Sequence, residues 1–394
     1  MSELPFTHLS VDGFRGLRAL QVADLRNINV LVGGNNSGKT SVLEALALMA
    51  NPVDGNEWLQ VIRRRDFGGL DESPVVSLRW CFKHEHGASL ASEDEFALSC
   101  QLGAEGAHPL RQMQSTYREF LSALEPQHVV QGLLDPWLAD RADLFSNPVR
   151  ACTINSHLTW ALASGQLQGE GSSVTLPDGA VELRIHDAAS RFDMAPARMG
   201  LLGPWQHRLK YAALLPYSYQ LNTHQVSGRS AQLLQDDTTL MLDLIRQFDP
   251  DVLNVEVASF GGLRPAVYIK HKKLGVAPLS VFGDAMRRCL LMATTMTSLG
   301  KGGVLLLDEV EVGIHTEALP KVFKWLSDAA RQLQVQVFAT THSLEVVDAL
   351  LAAGLNEDEL AAFKVQQTDE RTECKRFSAT SLKRLRFERG LDIR

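Results

Sequence analysis

Cysteine is scarce in this chain, five in 394 residues. Cys81, Cys100, Cys152, Cys289 and Cys374 are scattered, odd in number and free of any C-x-x-C pair. That excludes a disulfide framework and a paired-thiolate zinc site, and it predicts reduced thiols in a cytoplasmic protein. Long apolar runs are missing too: the longest stretches carry a Glu or a Thr, so no membrane span is expected. The opening Met1-Ser2-Glu3-Leu4-Pro5 lacks the charged and apolar regions of a secretory signal. No fixed-period repeat or low-complexity tract is visible, which argues against a solenoid or a disordered chain. Positive charge does not dominate, with 39 Lys plus Arg against 46 Asp plus Glu and a net charge of −7. Bulk attraction to nucleic acid is thereby disfavoured, and only a local basic patch could supply it. What is present is an ordinary globular composition, 45% hydrophobic and 22% charged, long enough for two or three domains.

The order of the apolar segments predicts an α/β fold. Residues 7–11 and 18–23 read as strands around the Gly13-Phe14-Arg15-Gly16 turn, 28–32 as a short buried strand and 41–49 as a helix. Residues 75–82 and 95–102 read as two more strands. From 105 to 147 the pattern is helical with breaks at Pro126 and Pro136, and from about 149 to 200 it becomes short strands, among them 180–185. The second half alternates more regularly. Helices are expected at 231–247, 285–298, 317–333 and 344–352, and strands at 254–257, 266–270, 304–307 and 335–339. Such alternation implies a mostly parallel sheet flanked by helices. The division that follows is an N-terminal half over 1–104, an insertion of helices and short strands over 105–210, and a C-terminal half over 211–394.

Chemistry enters with Gly33-Gly34-Asn35-Asn36-Ser37-Gly38-Lys39-Thr40, a complete G-x-x-x-x-G-K-[ST] phosphate loop, followed by Ser41. It stands between a strand and a helix, the context that the motif requires. Its glycines let consecutive N–H groups face phosphate oxygens, and the helix N-terminus adds its positive end. Lys39 would reach the β- and γ-phosphates, and the Thr40 hydroxyl would ligate Mg²⁺. Val304-Leu305-Leu306-Leu307-Asp308-Glu309 runs from a buried strand into two carboxylates, a costly pattern unless the charges have work at the sheet edge. Asp308 would support Mg²⁺ and Glu309 would activate the attacking water. Further on, a strand ends in Thr340-Thr341-His342-Ser343, where His342 reads as a γ-phosphate sensor or as a structural histidine.

Taken in order, Phe14-Arg15-Gly16, the phosphate loop, Leu279-Ser280-Val281-Phe282-Gly283-Asp284-Ala285, the Asp308-Glu309 strand and Thr340-Thr341-His342-Ser343 resemble ABC-type ATPases of the SMC/RecF branch. The chain is most similar to the ATPase module of OLD (overcoming lysogenisation defect) proteins over about residues 5–70 and 210–394. The resemblance implies a P-loop head split by an insertion, ATP and Mg²⁺ as cofactors, and two heads that close on ATP as a homodimer. It implies that Ser280 and Gly283 lie in the segment contacting the γ-phosphate of the opposite subunit, although Gly-Asp-Ala stands here where relatives have Gly-Asp-Gly. A plain helix N-terminus is the alternative for that segment. It also implies that Glu311-Val312-Gly313-Ile314-His315 belongs to a dimer-contacting loop and that Arg15 approaches nucleotide. No Q-loop glutamine is identifiable by spacing, Gln60 being one candidate. Long coiled-coil arms are not expected, because the insertion is too short and too broken by proline. A Toprim nuclease domain is not expected after His342, so a nuclease or Toprim-like effector would be a separate polypeptide, with phage defence or DNA repair as the setting. A nucleotide-sensing scaffold with little turnover and a transporter subunit are the competing classes. The transporter is disfavoured by the missing Leu-Ser-Gly-Gly-Gln segment.

Lesser signals stay open. Lys375, Arg376, Lys383, Arg384, Arg386, Arg389 and Arg394 form a basic C-terminal stretch that would bind DNA phosphate or an acidic partner, or else be a solvated helix face closing the fold. Arg63-Arg64-Arg65 has the same two readings, and His84-Glu85-His86 reads as a surface turn without a third metal ligand.

Overall fold

The computed structural model describes residues 4–52, 54, 56–65, 73–82, 96–106, 110–122, 149–162, 174–175, 179–186, 209–221, 239–258, 266–355 and 358–388. Strands β1 (His8–Asp12) and β2 (Leu20–Val22) form a hairpin, and β3 (Ile28–Val32) leads through a glycine-rich loop into helix α1 (Lys39–Ala50). Helices α2 (Asn56–Arg63) and α3 (Pro74–Arg79) precede β4 (Phe96–Glu105), β5 (Leu110–Ser122), β6 (Val149–Leu162), β7 (Val174–Thr175) and β8 (Gly179–His186). Next come β9 (Tyr211–Leu214), α4 (Ser218–Leu221), α5 (Thr239–Arg246) and the strands β10 (Val252–Ala258), β11 (Ala266–His271) and β12 (Gly275–Pro278). The last third holds α6 (Asp284–Leu299), β13 (Val304–Leu307), α7 (Leu319–Leu333), β14 (Gln336–Thr341), α8 (Leu344–Ala352), β15 (Leu360–Gln367), β16 (Thr372–Phe377) and α9 (Ala379–Lys383).

The expected α/β fold with a mostly parallel sheet is what these elements build. One sheet runs β16-β15-β3-β14-β13-β9, parallel throughout except for edge strand β16. Every residue of β3, β13 and β14 is buried, as helices on both faces of a parallel sheet demand. Side-chain alternation divides each strand between two cores: Val304 and Leu306 face one, Leu305 and Leu307 the other. The first core includes α1 and the inner face of an antiparallel sheet ordered β2-β1-β4-β5-β6-β7, with β8 also on β6. The second is packed by α6, α7 and α8. The helix after the phosphate loop is therefore covered on all sides; Ser41 through Ala50 are buried without a break.

Two expectations fail. Residues 75–82 do not form a strand: Pro74–Arg79 is a helix whose N-cap Ser73 accepts from the Val76 N–H at 3.2 Å, with Pro74 at its first position. Residues 110–122 are not helical but an extended strand of 13 residues paired along its length with β6. The antiparallel sheet also crosses the expected boundary at 105, because β4 and β5 are hydrogen-bonded neighbours. Residues 123–148 and 231–238 lie outside the described residues.

Among the described residues no helix is long and apolar enough to cross a membrane. The ligand atoms of Asp249, Asp251 and His271 lie within 4.8 Å of one another. His271 Nδ1 accepts from the N–H groups of Lys273 and Leu274, each at 3.1 Å, leaving Nε2 as the proton carrier facing Asp249 Oδ2 at 3.1 Å. Asp251 is paired with Lys273. These bonds lock the β11–β12 turn and use the atoms that a metal would need.

Candidate nucleotide site

The C-terminal ends of three neighbouring parallel strands make the site. The phosphate loop leaves β3, Asp308 and Glu309 follow β13, and His342 follows β14, the strand between them. The loop's shape depends on glycine at two places. Gly38 has φ +97°, and a Cβ there would lie 2.7 Å from Leu17 Cδ2; a Cβ on Gly33 would lie 2.6 Å from the Val365 carbonyl. Gly34, Asn35 and Asn36 are exposed, Ser37 is buried, and Asn36 is itself left-handed at φ 60°. Lys39 Nζ spans the loop, donating to the carbonyls of Gly33 at 2.9 Å and Gly34 at 2.7 Å. Burial lowers the Lys39 pKa, against the opposing pull of Asp308, Glu309 and Glu311.

Thr40 and Asp308, 268 positions apart in sequence, meet here. Thr40 Oγ1 donates to Asp308 Oδ1 and Oδ2 at 3.1 and 3.2 Å. The fully buried Thr340 donates to Asp308 Oδ1 at 2.6 Å and accepts the Glu309 N–H at 2.9 Å. A hydroxyl and a carboxylate at one point are hard oxygen donors, the set that suits Mg²⁺. Glu309 is half-exposed and sits at φ 46°, left-handed for a residue with a side chain. Such a backbone costs about 1–3 kcal/mol and persists only where its surroundings over-determine it.

His342 Nδ1 stands 3.9 Å from Glu309 Oε1 and 3.6 Å from Glu311 Oε1. Glu311 Oε1 accepts from Thr341 Oγ1 at 2.8 Å and from the His342 N–H at 3.3 Å. The sequence marked Thr340 and Glu311 only as members of longer segments, Glu311 in the dimer-contacting loop, and gave neither of them a bond within the site. The run of two threonines before His342 carried a signal for Thr340, since inward side chains at a strand end alternate.

Arg15 is bound to the phosphate-loop helix. Its side chain pairs with buried Glu44 of α1 at 2.8 Å, and Arg65 holds the other oxygen of Glu44 at 2.8 Å and Ser41 Oγ at 3.1 Å. The triad ties the first hairpin and the end of α2 to the phosphate-loop helix. Removing the carboxylate leaves a nearly buried Arg15 uncompensated. Glu44→Ala is expected to cost about 3 kcal/mol of unfolding free energy, the lower end for a broken buried pair because Arg65 is 44% exposed. Urea denaturation measures it. Beside the triad a cavity of about 400 Å³ opens onto Thr40, Asp308 and Glu309, walled by Arg64, Leu43 and Tyr217.

Ser280 lies in a 3₁₀ turn over Leu279–Val281, and Gly283 caps the N-terminus of α6. Both are exposed, and among the described residues nothing beyond its chain neighbours lies within 4 Å of where a Gly283 Cβ would stand. His315 is exposed and caps the turn that follows it, and Gln60 is an exposed residue of α2. Of the basic C-terminal stretch, Arg386 is bound to Asp348 at 2.7 and 2.8 Å, closing the fold against α8. Arg389, Arg394 and His84-Glu85-His86 lie outside the described residues.

The family described as "AAA ATPase domain" matches residues 6–107, and the family described as "AAA domain, putative AbiEii toxin, Type IV TA system" matches residues 182–348. The two matches contain the phosphate loop, and Asp308 with Glu309 and His342, respectively. Both halves of the chain thus resemble AAA-type ATPase domains. It is 31% identical to an uncharacterized protein of Methanocaldococcus jannaschii, MJECL11, over 113 residues, which are 28% of this chain and 98% of that protein. It is 44% identical to the DNA replication and repair protein RecF of Nitrosococcus oceani over 43 residues, 11% of this chain and 12% of RecF. Against a second M. jannaschii protein, MJECL10, the match spans 22% of the relative's length. A solved SMC head bound to the C-winged helix domain of ScpA aligns at TM-score 0.47 and 9% identity, covering 95% of this chain and 97% of that one.

Proposed function

We infer that this chain hydrolyses ATP to ADP and phosphate with Mg²⁺, as an ABC/SMC-like head. The observation that carries the reading is the convergence of Lys39, Thr40, Asp308, Glu309 and His342 at the C-terminal ends of three neighbouring strands. Gly33 through Ser41 would cradle the phosphates through backbone N–H groups, with Lys39 turned from the loop carbonyls onto the β- and γ-phosphates. Thr40 and Asp308 would hold Mg²⁺, which when bound offsets phosphate charge. Glu309 would take the proton of the attacking water, and His342 would face the γ-phosphate.

In the same reading two heads close on ATP, with Ser280 and Gly283 of each reaching the nucleotide held by the other. Their open, exposed position at the start of α6 supports this. The resemblance to OLD-type heads supports control of a separate nuclease or other DNA-processing protein, in phage defence. The match to RecF supports a second reading, an ATPase acting on DNA in repair. The test is solution mass of the Glu309→Gln protein by light scattering. A mass that doubles with ATP and Mg²⁺ and not with ADP is expected. A mass indifferent to nucleotide would remove the closing-dimer part of the reading, and an absence of phosphate release from the parent protein would remove the hydrolysis part.

A further inference from the structure

Glu309 holds an unfavourable backbone conformation, and something must keep it there. One hold is described above: its N–H is bound by Thr340 Oγ1. The other is Arg288, on the helix that opens with Asp284. Its side chain is almost wholly buried, 3% exposed, yet it carries a charge and among the described residues pairs with no carboxylate at hydrogen-bond distance. Instead the guanidinium donates to three main-chain carbonyls: Pro216, Asp308 at 3.1 Å and Glu309 at 2.6 Å. Its flank lies over the Tyr219 ring, 6.0 Å from the centroid. Burial lowers its pKa, so the site gives up solvation of a charge to gain these bonds.

We propose that Arg288 is a positioning residue for hydrolysis, which fixes the Glu309 peptide from its carbonyl side while Thr340 fixes it from its N–H side. A planar fork suits this task, because it reaches carbonyls from two chain segments at once. A lysine in its place would hold fewer of them. The bonds go to the main chain, so they set where the Glu309 carboxylate points without touching the carboxylate. Arg288 also lies one turn into α6, beyond Ser280 and Gly283, and the clamp makes the stance of Glu309 answer to any shift of that helix.

This rests on Glu309 acting as the base, and the test separates the two. Arg288→Met and Arg288→Lys are compared with the parent for nucleotide affinity, kcat and amide exchange. Arg288→Met is expected to lose about 10²-fold in kcat, the usual penalty for a misplaced catalytic group, with ATP affinity within about twofold of the parent. Arg288→Lys is expected to fall between them, and it carries the test if Arg288→Met does not fold. In a double-mutant cycle the kcat losses of Arg288→Lys and Thr340→Val are expected to multiply only in part, because both act on the Glu309 peptide while Thr340 alone also holds the Asp308 carboxylate. Amide exchange over 308–311 should rise about tenfold in the absence of ATP while α6 stays protected, a readout that needs no turnover. Parent-like kcat and exchange in both variants would overturn the proposal, as would a loss of affinity equal to the loss of kcat. A parent protein without hydrolysis but with the exchange change would sink the base role of Glu309 and leave the clamp standing.

Discussion

Glu309→Gln is expected to bind ATP as the parent does and to release phosphate at least 10²-fold more slowly. The amide has the shape of the carboxylate but cannot take a proton, and removing a general base costs 10²–10⁴ in rate. What holds the residue in place is left intact, because the Glu309 backbone itself donates to Thr340 and accepts from Arg288. Binding survives because Lys39, Thr40 and the loop N–H groups are untouched. Phosphate release at saturating ATP and Mg²⁺, beside a direct affinity measurement, gives both quantities. A variant that turns over as fast as the parent would point to another base. A parent as slow as the variant would favour a nucleotide-sensing scaffold.

Lys39→Met is expected to remove detectable turnover and to weaken ATP binding by about 10²-fold or more. A lysine on the β- and γ-phosphates makes charge-assisted contacts worth roughly 1.5–3 kcal/mol each, and the tenfold step is 1.4 kcal/mol. Stability should move the other way. The folded protein holds the Lys39 proton less tightly than the unfolded chain does, so the charged lysine subtracts from stability at every pH below its lowered pKa. Methionine fills similar space without that charge, and the melting temperature of the apo protein is expected to equal or exceed the parent's. Calorimetric titration with ATP and a thermal melt check the two halves. A fall in melting temperature would mean that the bonds to Gly33 and Gly34 hold the loop together.

The parts of the site that could be read in the sequence are those whose chemistry is local. The phosphate loop, the apolar strand ending in Asp308-Glu309 and the strand ending in His342 are each contiguous. Their strands and helices fall within a few residues of expectation: 28–32 matches, and 41–49 lies inside Lys39–Ala50. Partners chosen by folding were not legible. Arg288 meets Glu309 across 21 positions and Thr340 meets Asp308 across 32, and no local pattern announces either. The misread elements did carry their signals. Ser73-Pro74 is an N-cap followed by proline at the first helical position, outvoted by the β-branched pair Val75-Val76. In β5, Met113, Ser115 and Tyr117 are buried while Gln112, Gln114 and Arg118 are exposed, a period of two that marks a strand. Its neighbours on either side, read as helical, concealed it.

The strand that carries the phosphate loop has both of its neighbours at the far end of the chain. β3 is hydrogen-bonded to β14 on one side and to β15 on the other. During synthesis it emerges early and then waits for some 300 more residues, about 15–60 s at the usual rates of elongation. Until those residues arrive, the loop has no frame to shape its glycines and no Asp308 opposite Thr40. A nascent chain that has not yet reached β14 and β15 is therefore expected to be blind to ATP, and competence to bind nucleotide arises late in synthesis.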